Sequence, residues 1–230
     1  EVVTEYSSTT SRAVIQHDLS SDSNVYASLS EGYKAGGYAT YECTEPYDPE
    51  EVTSLEFGFK GSLSENTSLN ASLFRYDYTD FQVLQVVGIQ TVTRNAGDAT
   101  VNGLEVEALS NVNDSLSINY GLTLLDATYG EFLNTNGIEP QLGEQQLDGN
   151  YLTNAPKVSI NLGLNYTSPM ASGASLTYRA NASYKSRIYF SEFNEYSQDA
   201  YTIVDLNLIW ESADETMRSR FFIKNATDED

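Results

Sequence analysis

Glu105 and Glu107 stand two apart in GLEVEAL, a spacing that puts both carboxylates on one face of a strand, where such a pair could perform acid–base hydrolysis. No nucleophile with a neighbouring base accompanies them. His17 is the single histidine, at a strand end, and Cys43, the single cysteine, lies beside Glu42 and Glu45, whose negative charge disfavours the reactive thiolate. A second candidate is EGYKAGGY (31–38), where Lys34 among glycines suggests a phosphate cradle. A phosphate-binding loop follows a buried strand and opens a helix, presenting backbone N–H groups at the helix start. Here a tyrosine-bearing alternating segment precedes the glycines, no helical period follows, and the acidic ATYECTEPYDPEE behind them repels phosphate. Metal chemistry fares no better. One histidine and one cysteine exclude a zinc cluster, and the acid-rich EPYDPEE and 139–148 segments lack the spacing of a calcium loop. The sequence therefore points to no enzyme, no metal and no cofactor.

The charge balance narrows the partners. With Lys+Arg 12 against Asp+Glu 33, the 230 residues carry a formal charge of -21, which repels nucleic acid and anionic surfaces. No apolar run reaches the length of a spanning helix. Tyrosine is abundant, 17 residues beside 9 Phe, and suits strands and boundaries where one end of a ring is wet and the other is not.

Strands are what must position these residues. LSINYGLTL places Leu116, Ile118, Tyr120, Leu122 and Leu124 on one face and Ser117, Asn119, Gly121 and Thr123 on the other. VSINLGLNY, SLTYRANASYKS, SLEFGFKG, GLEVEAL and TIVDLNLIW alternate likewise, and about ten such segments are expected along the chain. Short polar turns at 18–23, 62–67, 111–115, 168–174 and 211–216 alternate with long connections at 35–50, 85–97, 129–153 and 189–199. The pattern predicts an all-β, antiparallel up-and-down meander. Short turns at one rim, long loops at the other, and strands apolar outward and polar inward describe an outer-membrane β-barrel, although a half-solvated soluble sheet also alternates. In the barrel reading Glu105, Glu107, Arg179 and Lys185 line the lumen, the carboxylates offset by basic residues such as the latter two. The first long loop supplies an aromatic and acidic surface, Tyr38, Tyr41, Glu42, Tyr47 and Asp48, as ligand-contact candidates; its acids disfavour an anionic chelate. The loop LNTNGIEPQLGEQQLDGN offers Asn and Gln for hydrogen bonding.

Taken in order, several stretches resemble the C-terminal part of the barrel of TonB-dependent outer-membrane receptors: VYASLSEGYKAGG, YDPEEVTSLEFGFKG, FRYDYTDFQV, RNAGDATVNGLEVEA, LDGNYLTNAPKVSINLGLNY and FFIKNATDED. The resemblance implies active import of a scarce nutrient, a ferric siderophore by default, across the Gram-negative outer membrane. It implies contact with outer-membrane lipid and coupling to the TonB complex through an N-terminal plug. It further implies that residues 1–230 are a C-terminal portion of a larger barrel, without the plug and without the terminal strand. A passive porin-like channel and a soluble secreted β-sheet binding or adhesion module are the alternatives.

Overall fold

Segments that alternate in polarity and are joined by tight polar turns pair most readily with their sequence neighbours, and this chain does so throughout. The structure is a computed structural model that describes residues 5–39, 42–87 and 90–229. β1 (Arg12–Asp18) runs antiparallel to β2 (Ser23–Lys34), after which the chain forms a small outlying hairpin, β3 (Gly37–Ala39) with β4 (Glu42–Tyr47). β5 (Glu50–Ser64) and β6 (Thr67–Thr79) follow, then a second outlying hairpin, β7 (Gln82–Val87) with β8 (Gln90–Asn95). β9 (Ala99–Asn113) turns into β10 (Leu116–Tyr129), and the connection beyond it holds β11 (Leu133–Thr135), a 3-10 turn at Pro140–Leu142 and β12 (Glu144–Gln146). β13 (Val158–Pro169) and β14 (Ser175–Lys185) lead to the short pair β15 (Ile188–Tyr189) and β16 (Ser197–Gln198). β17 (Tyr201–Glu211) and β18 (Arg218–Ile223) complete the order.

The long strands make one ten-stranded antiparallel sheet, β1-β2-β5-β6-β9-β10-β13-β14-β17-β18, which is open. All short turns lie at one end and all outlying hairpins at the other. FRYDYTDFQV, which by its resemblance to the family is a single strand, is divided: β6 stops at Thr79, Asp80 takes φ 53, which breaks the strand, and Gln82–Val87 belongs to the second hairpin.

Register decides which residues share a face. Ile15, Ala27, Phe57, Leu73, Leu104, Leu124 and Val158 stand side by side across seven successive strands. Phe57 is 51% exposed and Leu73 58%, so this row contributes to an uncovered apolar band of the kind that faces lipid. Tyr166, Tyr178 and Trp210 end the same face near the short turns, the tyrosine rings 6.1 Å apart, as suits a membrane interface. His17 also lies on the apolar face, opposite Val25.

The opposite face is polar, with aromatic rings laid flat on glycines. A Cβ on Gly58 would fall 2.4 Å from the Tyr26 ring, and one on Gly103 would fall 2.2 Å from the Phe74 ring. Gly103→Leu is expected to displace Phe74 and destabilise the sheet by about 1–3 kcal/mol, read from the thermal midpoint of the refolded protein. Gly121→Leu is the matched control, since only Asn161 lies near its missing Cβ, at 3.8 Å.

Two of the short turns are closed by carboxylates. Asp22 accepts the Ser20 hydroxyl at 2.6 Å, and Asp214 accepts those of Ser212 at 2.6 Å and Thr216 at 2.9 Å. These hydroxyl donors hold both carboxyls below the ordinary 3.8. Because the folded state favours the ionised form, the contribution is present above the ordinary pKa and is lost as pH falls through the lowered one. Amide protection in 213–216 is expected to drop below about pH 4, and Asp214→Asn to abolish that dependence.

Candidate functional site

At the long-loop end the polar face of β6, β9 and β10 turns apolar. Ala99, Ala127 and Tyr129 are almost wholly buried there, and Phe132, Leu147 and Leu152 from the loop after β10 pack onto them. Phe81 and Val83 from the second hairpin join this core, as does Phe193 from the loop after β14. Ring centroids step from Tyr78 to Phe81 (5.2 Å), to Tyr129 (6.3 Å), to Phe132 (5.6 Å). The loops thus fold over the polar face and share one core with the loop-end residues of the strands beneath them.

The NAGDA stretch (95–99) acts as a clasp. Asn95 accepts the Asp48 N–H (2.7 Å) and donates to the carbonyls of Asp48 (3.0 Å) and Asp80 (2.7 Å), tying the first loop to the second. Gly97, at φ +79, accepts Phe81 N–H through its carbonyl, and Asp98 accepts Gly130 N–H, which ties the second loop to the third. A buried amide latch then joins the third loop to the fourth. Asn134 and Asn136 are 5% and 4% exposed; their Nδ2 groups donate to Glu192 Oε1 (3.0 Å) and Glu195 Oε2 (2.8 Å). Asn194 accepts Tyr151 N–H and donates to its carbonyl, while the Tyr151 and Tyr189 rings stack at 6.0 Å.

Between these hairpins runs a trough made of two adjoining cavities, ≈ 550 and ≈ 280 Å³, with Gln85, Thr135 and Gly137 common to both. Leu84, Leu133, Ile138, Phe190 and Tyr196 give it exposed apolar walls; Arg94 and Glu144 lie in the larger part and Glu192 and Glu195 in the smaller. Separately, on the sheet's polar face, Glu56, Glu105 and Glu107 surround a cavity of ≈ 280 Å³ with Tyr26, Lys60 and Asn70. Tyr26 donates to Glu56 at 2.5 Å and Lys60 stands over the Tyr26 ring at 5.2 Å. An apolar hollow of ≈ 610 Å³, lined by residues such as Phe57, Phe59 and Ala71, belongs to the outward apolar band.

The sequence candidates fall in different places. Glu105 and Glu107 share the polar-face cavity. Arg179 stands on the same face but donates to Asn165 at 2.9 Å, with β10 and β13 between it and the glutamates; Lys185 lies at the loop end of β14, opposite Ser159 and Tyr201. Tyr38 and Tyr47 are half-buried in the first hairpin and do not line the trough, while the exposed Asp48 is held through its backbone by Asn95 and Gln82. Tyr41 lies outside the described residues, and so do the side chains of Glu42 and Cys43. Gln85, Phe190, Glu192, Glu195 and Tyr196 were not singled out in the sequence. The only signal available for them was their position in long connections.

A family model, TonB dependent receptor-like β-barrel, matches residues 2–226. No curated protein sequence matches. The fold is similar to that of the ferric yersiniabactin uptake receptor FyuA of Yersinia pestis (21% identity, TM-score 0.77, 95% of this chain and 32% of that one). It is also similar to BauA, the ferric preacinetobactin receptor of Acinetobacter baumannii (21%, TM-score 0.71, 96% and 32%), and to the siderophore receptor PiuA of the same organism (20%, 0.73, 95% and 31%). The chain therefore spans about a third of the length of these structures, and its open sheet corresponds to part of their barrels. The chain belongs to the TonB-dependent receptor β-barrel family, a family of Gram-negative outer-membrane receptors and not of enzymes.

Proposed function

We propose that this chain is the C-terminal portion of a receptor barrel that imports a scarce nutrient, a ferric siderophore, with energy supplied by the TonB complex through a plug domain of the intact receptor. The observation that carries the reading is the ordered loop trough standing over the polar face, which is where a ligand would be held before passage. The names of the similar structures, three of them ferric-siderophore or siderophore receptors, support the cargo class. Within the wall, Glu56, Glu105 and Glu107 form an acidic recess suited to basic side chains of a plug. Arg179 and Lys185 line the same wall farther round.

Deleting the gene is expected to abolish growth on one ferric chelate among a defined set, and removing TonB to have the same effect. Uptake that continues without TonB would mark a passive channel instead. The combined Glu56→Gln and Glu105→Gln variant is expected to loosen the plug, read as increased entry of a large antibiotic normally kept out. Unchanged exclusion would remove the recess from the plug-seating role.

A further inference from the structure

We infer that the loop trough selects a neutral or cationic ferric chelate that presents N–H donors, and rejects trianionic ones; the inference rests on the uptake reading above. Its basis is how the latch uses its carboxylates. Asn134 and Asn136 each donate to one oxygen of Glu192 and Glu195. An amide donor orients a carboxylate without cancelling its charge, so both glutamates line the smaller cavity held through one oxygen each, their charge not paired by the latch. The Ser191 hydroxyl of the same segment is buried with no hydrogen-bond partner among the described residues.

Above these groups the walls are apolar and aromatic. Phe190 is 54% exposed and Tyr196 51%, which leaves ring surface for the organic body of a chelate and for an ammonium group against a ring face. A bare metal ion fits less well, since no group of three or more His, Cys, Asp or Glu that could hold one occurs among the described residues. Arg94 and Glu144 line the larger cavity, whereas the described residues lining the smaller one include Glu192 and Glu195 and no Lys, Arg or His. A trianionic chelate would bring like charge against the half-buried Glu192 and the exposed Glu195, and the repulsion is strongest at Glu192, where less water screens it.

The test uses the intact receptor carrying this chain, purified in detergent, and three probes: a ferric trihydroxamate with a free ammonium group, a neutral ferric trihydroxamate and a trianionic ferric tris-catecholate. Expected affinity falls in that order. The Glu192→Gln and Glu195→Gln double variant should reduce the cationic-to-neutral affinity ratio about tenfold. Glutamine keeps an oxygen for each asparagine, so the latch is retained, and an unchanged pattern of loop proteolysis verifies this. Tightest binding of the tris-catecholate, or a ratio unmoved in the double variant, overturns the charge inference and leaves the uptake reading standing. Failure of the folded receptor to bind any of a wide set of ferric chelates overturns both.

Discussion

Leu162→Arg is expected to destabilise the folded receptor in lipid by about 2–4 kcal/mol, whereas Asn161→Arg, one residue away, should change stability by less than about 1 kcal/mol. Leu162 lies in the middle of the apolar run of β13, 49% exposed, between Tyr120 and Ala182 on the neighbouring strands. An arginine there meets hydrocarbon. Asn161 faces the other way, onto a polar cavity that includes Glu107, and an arginine in its place gains a carboxylate neighbour and water. The measurement is the urea midpoint of refolding into lipid vesicles. Equal effects at the two positions would contradict the assignment of faces.

Phe132→Ala is expected to dismantle the loop unit while sparing the wall. Phe132 is 7% exposed, its ring tilted against Tyr129, and its backbone N–H and carbonyl hold Gln146 Oε1 and Leu147 N–H. Truncating a buried phenylalanine removes about 3–5 kcal/mol, more than a cluster of this size can absorb locally. Protease sites in 130–157 should open and ligand binding should fall by at least about tenfold, with the heat-modifiable migration of the barrel unchanged. Phe190→Ala separates the two roles of the trough. That side chain is largely exposed, so its loss should weaken binding without opening the loops.

The wall was legible in the sequence because lipid enforces period two. A strand such as VSINLGLNY has no freedom to mix its faces, so each of its residues can be assigned from alternation alone. The boundary error at Asp80 has the opposite cause. Phe81, Gln82 and Val83 alternate too, one residue out of phase with Phe74, Tyr76 and Tyr78, and so short a slip at the left-handed Asp80 is easily absorbed into one strand. Composition drew attention to the tyrosines and acids of the first loop. The latch, however, joins Asn134 to Glu192 across 58 positions, and such pairings follow from topology and packing rather than spacing. Lys34 shows both halves of this. Its placement at the end of β2 was readable, but its cross-strand partner Glu50, 3.7 Å away, and the packing of Tyr6 and Tyr47 against Gly36 and Gly37 were not.

The core that joins the loops to one another has an evolutionary corollary. Because the asparagine–glutamate latch and the aromatic cluster bind segments 80–98, 130–157 and 186–200 to one another, a substitution at Asn134 calls for a compensating one at Glu192, not for any change in the strands below. Cargo preference can then change as a coadapted block while the lipid-facing wall stays under its own constraint of alternation. Grafting these segments singly between receptors should yield misassembled chimaeras; grafting them together should transfer specificity.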